Sequence, residues 1–150
     1  MPSTYTNLLY HLVFSTKDRA PMVATPFRDD LYSYMGGIIL GEGGVSLQIG
    51  GISDHVHLLV KLKPAIAVSD LLRKLKANSS KWVNESQESV HKFGWQDGYA
   101  AFSVSKSQVP VVTDYIRNQE QHHRRTDFKT ELIELLRRHE IEYDERYLWD

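Results

Sequence analysis

Val45-Ser46-Leu47-Gln48-Ile49-Gly50-Gly51-Ile52-Ser53-Asp54-His55-Val56-His57-Leu58-Leu59-Val60-Lys61-Leu62 contains two runs of alternating character split by the polar pair Ser53-Asp54. Alternation of this kind matches the two-residue period of a strand, and a short polar break between two such runs predicts a β-hairpin whose second strand starts at His55. Upstream, Leu8 to Phe14 mixes aliphatic and aromatic residues and closes in Ser15-Thr16-Lys17-Asp18, a strand running into a polar loop that ends at Pro21. Between them, Thr25-Pro26 precedes Phe27, Leu31, Tyr34, Met35, Ile38 and Ile39, whose spacings of three and four predict an amphipathic helix with Thr25 as its cap. Gly41, Gly43 and Gly44 close it as a turn, since they lack the lysine and hydroxyl residue of a nucleotide-binding loop.

Downstream, Ser69-Asp70 opens a second helix from Leu71 to about Val83, with Leu71, Leu72, Leu75 and Trp82 inward. Trp95 to Ser105 predicts a fourth strand, with Asp97-Gly98 as a turn or bulge near its start. Pro110 precedes a third helix over Val111 to Arg124, Thr130 to Arg138 forms a fourth, and a short tail follows from Ile141. Strand, helix, strand, strand, helix, strand is the order of a split βαβ unit, so the expected class is α+β: a ferredoxin-like (RRM-like) antiparallel sheet with added C-terminal helices. A chain of 150 residues with 41% apolar content fits one domain over 1–150, within the usual domain size of about 100 to 150 residues.

The chain has no cysteine, which removes disulfides, thiolate metal sites and cysteine nucleophiles, and leaves His, carboxylate or amide groups as ligands for any metal. No basic-then-apolar leader and no long apolar run is evident, so no membrane segment is expected and a cytoplasmic location is the default. The 18 basic and 19 acidic residues do not suggest bulk electrostatic attachment to DNA. The acidic excess is local, because residues 131–150 hold 7 acids against 3 bases. Two basic clusters stand apart from it, Arg73, Lys74, Lys76 and Lys81, and Arg117, Arg124, Arg125 and Lys129. Either is also compatible with a solvated helix face.

His55 and His57 lie two residues apart on the hairpin's second strand and therefore share one face, while Val56, Leu58 and Val60 take the other. A rigid strand fixes the distance between two imidazoles, which makes the pair workable for a divalent ion; two polar residues on the wet side of a strand is the plain alternative. Tyr115 and Gln119 are one helical turn apart, offering a phenol as nucleophile and an amide oxygen as ligand on one face. Each alone also suits an ordinary amphipathic helix. His122 and His123 fit a supporting or solvated role, His11 a hydrogen bond within the sheet face, and Asp54 a strand-entry turn or support of a ligating imidazole.

Taken together, these segments resemble the HUH single-tyrosine transposases of insertion sequences that move as single strands, including their repeat-associated relatives. The resemblance runs through Tyr10-His11-Leu12-Val13-Phe14-Ser15-Thr16-Lys17, Gly51 to Val60 around His55-Val56-His57, Tyr115-Ile116-Arg117-Asn118-Gln119, and Ile141 to Leu148. It implies a metal-dependent single-stranded DNA endonuclease and strand transferase, in which His55, His57 and Gln119 hold Mg²⁺ or Mn²⁺. Tyr115 would attack the scissile phosphate and form a 5′-phosphotyrosine link. It also implies hairpin-containing DNA ends as partner, and a homodimer in which one subunit's nucleophile helix completes the other's metal site. Lys17, Arg19, Arg73, Lys74 and Lys76 are the candidate phosphate contacts. The rival readings are a non-catalytic or domesticated nucleic-acid binder and a replication-initiator type of HUH nuclease. An RNA-recognition domain would carry stacked aromatics where this strand carries His55 and His57.

Overall fold

The computed structural model describes residues 3–87 and 92–150. Over these, β1 (Leu8–Ser15), α1 (Thr25–Gly41), β2 (Gly44–Ile52), β3 (His55–Leu62), α2 (Val68–Ser86) and β4 (Ala100–Val104) follow in the expected order. The short helices α3 (Val109–Arg117), α4 (Gln119–His122) and α5 (Phe128–Arg138) come after them. The strands form one antiparallel sheet in the order β2-β3-β1-β4, the α+β arrangement that the strand and helix order predicts.

Strand alternation divides the side chains into two cores. Leu12 and Phe14 of β1 and Val56, Leu58 and Val60 of β3 pack with Leu31, Met35 and Ile39 of α1 and with Leu72 and Leu75 of α2. Each of these apolar side chains contributes about 1.5–3 kcal/mol by leaving water. Residues of opposite parity face the other way, where Val13 and Phe102 meet Phe128, Leu132, Leu135 and Leu136. The register pairs Val13 with His57 and Ser15 with His55, so both histidines fall on this second face. That face is covered by α3 to α5 and is not the wet side of a strand: His55 and His57 are both fully buried.

Three local expectations change. The fourth strand is shorter than Trp95 to Ser105, because the carbonyls of Gln96, Asp97 and Gly98 accept from Lys76 Nζ at 2.9, 3.1 and 2.6 Å and are lost to the ladder. Trp95 keeps only an isolated bridge to Thr16. The third helix is not continuous, since Asn118 relaxes to φ −98° and ψ 21° between α3 and α4. Asparagine competes for backbone hydrogen bonds and is a weak helix former. Helix α1 starts at Thr25 with Ala24 as its cap, which leaves Thr25 and Pro26 inside the first turn.

The position of α3 depends on a missing side chain. Gly50 pairs with His57 across the hairpin, and a Cβ there would sit 2.5 Å from the Ile116 carbonyl oxygen. Only a glycine lets the helix lie this close to β2, and the same contact puts Tyr115 beside the histidine strand.

Candidate functional site

The site is assembled from β1, β3 and the three C-terminal helices. His55 Nε2 lies 2.9 Å from Gln119 Oε1, and the Tyr115 and His57 rings are 5.6 Å apart, so one chain brings the four expected residues together. Gln119 is buried and Tyr115 half-buried. The break at Asn118 does not separate Tyr115 from Gln119.

A fifth residue stands at the centre. Glu131 of α5, 2% exposed, places Oε1 3.0 Å from His57 Nε2, 3.0 Å from His123 Nε2 and 3.3 Å from His55 Nε2. Its Oε2 accepts from Gln119 Nε2 at 2.9 Å and from the Tyr115 hydroxyl in a short hydrogen bond. Burying a carboxylate without partners costs several kcal/mol, so this ring of donors is what makes the position tenable. Glu131 was absent from the sequence expectations, although a signal existed. Phe128, Glu131, Leu132, Leu135 and Leu136 are the buried positions of α5, and only one of that inward series carries a charge.

The imidazoles are held from behind. Asp54 Oδ1 is 2.7 Å from His55 Nδ1, and His11 Nε2 is 2.8 Å from His57 Nδ1. His123 Nδ1 donates to the Thr126 carbonyl at 2.9 Å, while Phe128 stacks on His55 with centroids 4.0 Å apart. These contacts aim Nε2 of each ring inward, as supporting residues do around bound cations. Asp54 and His11 therefore act on the histidine pair itself. His123 points at the same centre, while His122 is partly exposed with Nε2 3.3 Å from Glu131 Oε2. Two groups of residues are spaced to hold a cation, His55-His57-Glu131 and His122-His123-Glu131.

Burial lowers His57 to about 4 against the pull of Glu131, and burial followed by the nearby His57 lowers His11 to about 3. Burial also pulls on His55, but hydrogen bonds from Asp54 and Glu131 outweigh it and hold its pKa above the ordinary value. Burial works to raise Glu131, yet His123, His55 and His57 together keep it well below the usual carboxylate range. Burial and then Glu131 push the Tyr115 phenol up.

The sign for stability follows from His11 and His57. Below their ordinary value of 6.5 the unfolded chain takes up protons that the folded rings refuse until about 4 and 3. Stability is therefore lost as pH falls through that window, by at most about 1.4 kcal/mol per pH unit for each ring. Glu131 contributes in the same direction below the ordinary carboxylate value. His55 acts oppositely, losing its contribution as pH rises through its folded pKa. Urea unfolding in EDTA should show a midpoint that falls steadily from pH 6.5 to pH 4, and a midpoint constant over that range contradicts the assignment.

The structure distributes the candidate phosphate contacts unevenly. Lys17 and Arg19 sit on the exposed turn after β1, where Arg19 lies 4.2 Å over the Trp149 ring. Arg73 is 3.6 Å from Asp70, Lys74 is 3.0 Å from Glu42, and Lys76 caps the three carbonyls of residues 96–98, where burial lowers it to about 8. Tyr115 lines two clefts, one with Asp114, Asn118, Gln121, His122, Arg124 and Arg125 and one with His11, Phe102, Arg138 and His139, and none of the five candidates lines either. Two members of the second basic cluster thus line the same cleft as Tyr115. Among the described residues no helix is long and apolar enough to cross a membrane.

Comparison with known proteins matches this architecture. The ISDra2 transposase TnpA of Deinococcus radiodurans is 27% identical over 117 residues, covering 75% of this chain and 84% of that protein. The transposase of insertion sequence element IS200 from Salmonella typhimurium is 26% identical over 118 residues, covering 75% and 77%. Among solved structures, a REP-associated tyrosine transposase bound to a REP hairpin shares the fold with a TM-score of 0.61 at 13% identity, over 82% of this chain and 73% of that one. The family model for IS200-like transposases matches residues 4–119, the span that runs from before β1 through Gln119, and the chain belongs to that family.

Proposed function

We propose that this transposase cleaves and rejoins single-stranded DNA through a covalent 5′-phosphotyrosine link on Tyr115, with a divalent metal held by His55, His57 and Gln119. The observation that carries this is the convergence of Tyr115 and Gln119 on the histidine pair within one buried centre. The donor set fits a small divalent ion: two imidazoles aimed inward by Asp54 and His11 and one amide oxygen leave positions for phosphate oxygens, which suits Mg²⁺ or Mn²⁺. Such an ion, when bound, orients the scissile phosphate and offsets the charge that develops on it.

The chain's own residues do the rest. Arg124 and Arg125 bring the DNA phosphate into the cleft beside Tyr115. The phenol gives up its proton as its oxygen bonds to phosphorus, the bond from phosphorus to the 3′-oxygen breaks, and that oxygen takes up a proton and leaves as a hydroxyl. The new phosphotyrosine keeps the energy of the broken diester, so another 3′-hydroxyl reverses the step and joins a new strand without ATP. Within one chain Tyr115 and Gln119 reach the histidine pair of the same subunit; we carry a homodimer forward as part of the proposal, and we read residues 1–150 as one working domain. Hairpin-bearing ends are the proposed DNA, in keeping with the REP hairpin bound by the structural relative.

The test is incubation with 3′-end-labelled single-stranded DNA carrying the element's end, since the 5′-phosphotyrosine link keeps the 3′ flank on the protein. A labelled band at the mass of protein plus one DNA flank, formed with Mg²⁺ or Mn²⁺ and absent in EDTA, is the expected result. Cleavage with no labelled protein, or an adduct insensitive to EDTA, contradicts the reading.

A further inference from the structure

The family match ends at Gln119, so α5 and the carboxylate it carries into the centre lie outside the part of the chain that the family defines. We propose that Glu131 is a further catalytic residue: its Oε1 takes a position on the divalent ion beside His55 and His57, while its Oε2 holds the Tyr115 hydroxyl. The inference rests on the metal reading of the site given above.

Three features support it. First, the Nε2 atoms of His55, His57 and His123 all lie within 3.3 Å of one carboxylate oxygen. Two of those rings have Nδ1 engaged elsewhere by hydrogen-bond acceptors, His55 by Asp54 and His123 by the Thr126 carbonyl. Nε2 is thus the atom each of them leaves for the centre, so a cation bound beside Oε1 would find these nitrogens already gathered around it. Second, the separations match a small ion. Neighbouring ligands around an octahedral ion at about 2.1 Å stand about 3 Å apart. His57 Nε2 to Glu131 Oε1 is 3.0 Å, His55 Nε2 to Glu131 Oε1 is 3.3 Å, and His55 Nε2 to Gln119 Oε1 is 2.9 Å. All of the His55, His57 and Glu131 ligand atoms fall within 4.8 Å of one another. An ion can therefore enter with little movement of the side chains.

Third, the opposite oxygen is already committed to the nucleophile and to the third ligand, Tyr115 and Gln119. One carboxylate then ties the metal position to the phenol position. This couples α5 to the chemistry in a way that a purely structural helix would not.

Binding of Mn²⁺ to the full chain, followed by electron paramagnetic resonance in the absence of DNA, tests this without measuring activity. Glu131→Gln should weaken Mn²⁺ binding by about tenfold to a hundredfold. Affinity within twofold of the unaltered chain, or tighter, while His57→Ala weakens it, overturns the proposal and makes Glu131 a carboxylate that the ion displaces. If His57→Ala also leaves affinity unchanged, the metal reading itself fails. Should Glu131→Gln not fold, crystals of the unaltered chain grown with Mn²⁺ decide the matter. A Glu131 oxygen within about 2.4 Å of the ion supports the proposal, and one beyond about 3.5 Å overturns it.

Discussion

Tyr115→Phe should abolish the covalent protein–DNA adduct, with cleavage falling by about 10⁴-fold or more. The substitution removes one oxygen and keeps the ring, whose neighbours His57, His11 and His122 stand 5.6, 6.1 and 5.4 Å away between centroids. Packing is therefore retained. Glu131 Oε2 loses one donor but keeps Gln119 Nε2, so the stability change should stay near 1 kcal/mol. Mn²⁺ affinity should change little, because the phenol is not among the proposed ligands. Denaturing gels with 3′-end-labelled DNA, read beside urea melts, separate chemistry from folding. A labelled protein band that survives in the variant would place the nucleophile on another residue.

Gly50→Ala is the second large effect, and it acts on the nucleophile from the opposite side of the contact. The added Cβ meets the Ile116 backbone oxygen at 2.5 Å and the Ile116 Cγ2 atom at 3.0 Å. Backbone cannot swing aside as a side-chain tip can, so α3 must back away from β2 and carry Tyr115 with it. A displacement of about 1 Å costs roughly 10²-fold in rate, and overpacking of this kind costs about 1–3 kcal/mol of stability. Gly37→Ala is the matched control. Its Cβ meets nothing within 4 Å, and it sits inside α1, where alanine should add about 0.5–1 kcal/mol and leave cleavage unchanged. Adduct formation at the normal rate in Gly50→Ala would show that the close approach of α3 does not position Tyr115.

The hairpin, its two-residue turn and the shared face of His55 and His57 were legible because each depends on a short-range period. Tyr115 and Gln119 were legible as a pair for the same reason, since a spacing of four puts them on one side of the chain even across the break at Asn118. Chain order then gave the sheet class. Less could be read of the charged side chains. Lys74 and Lys76 looked like free cations, but one pairs with Glu42 and the other is bound to the loop carbonyls of residues 96–98. Such partners come from distant segments, and a lysine looks the same in sequence whether its ammonium meets a phosphate or a carbonyl.

By itself, then, the sequence determined the α+β order, the strand with the histidine pair and the tyrosine with its glutamine, since all of these are carried by neighbours along the chain. Tertiary structure alone decided that the histidine face is buried beneath α3 to α5, and that Glu131 meets His57 across 74 residues of chain. It also decided that Gly50 sets the seat of α3. A contact closed over such a distance is fixed by how the elements pack, and no local period of the chain encodes it.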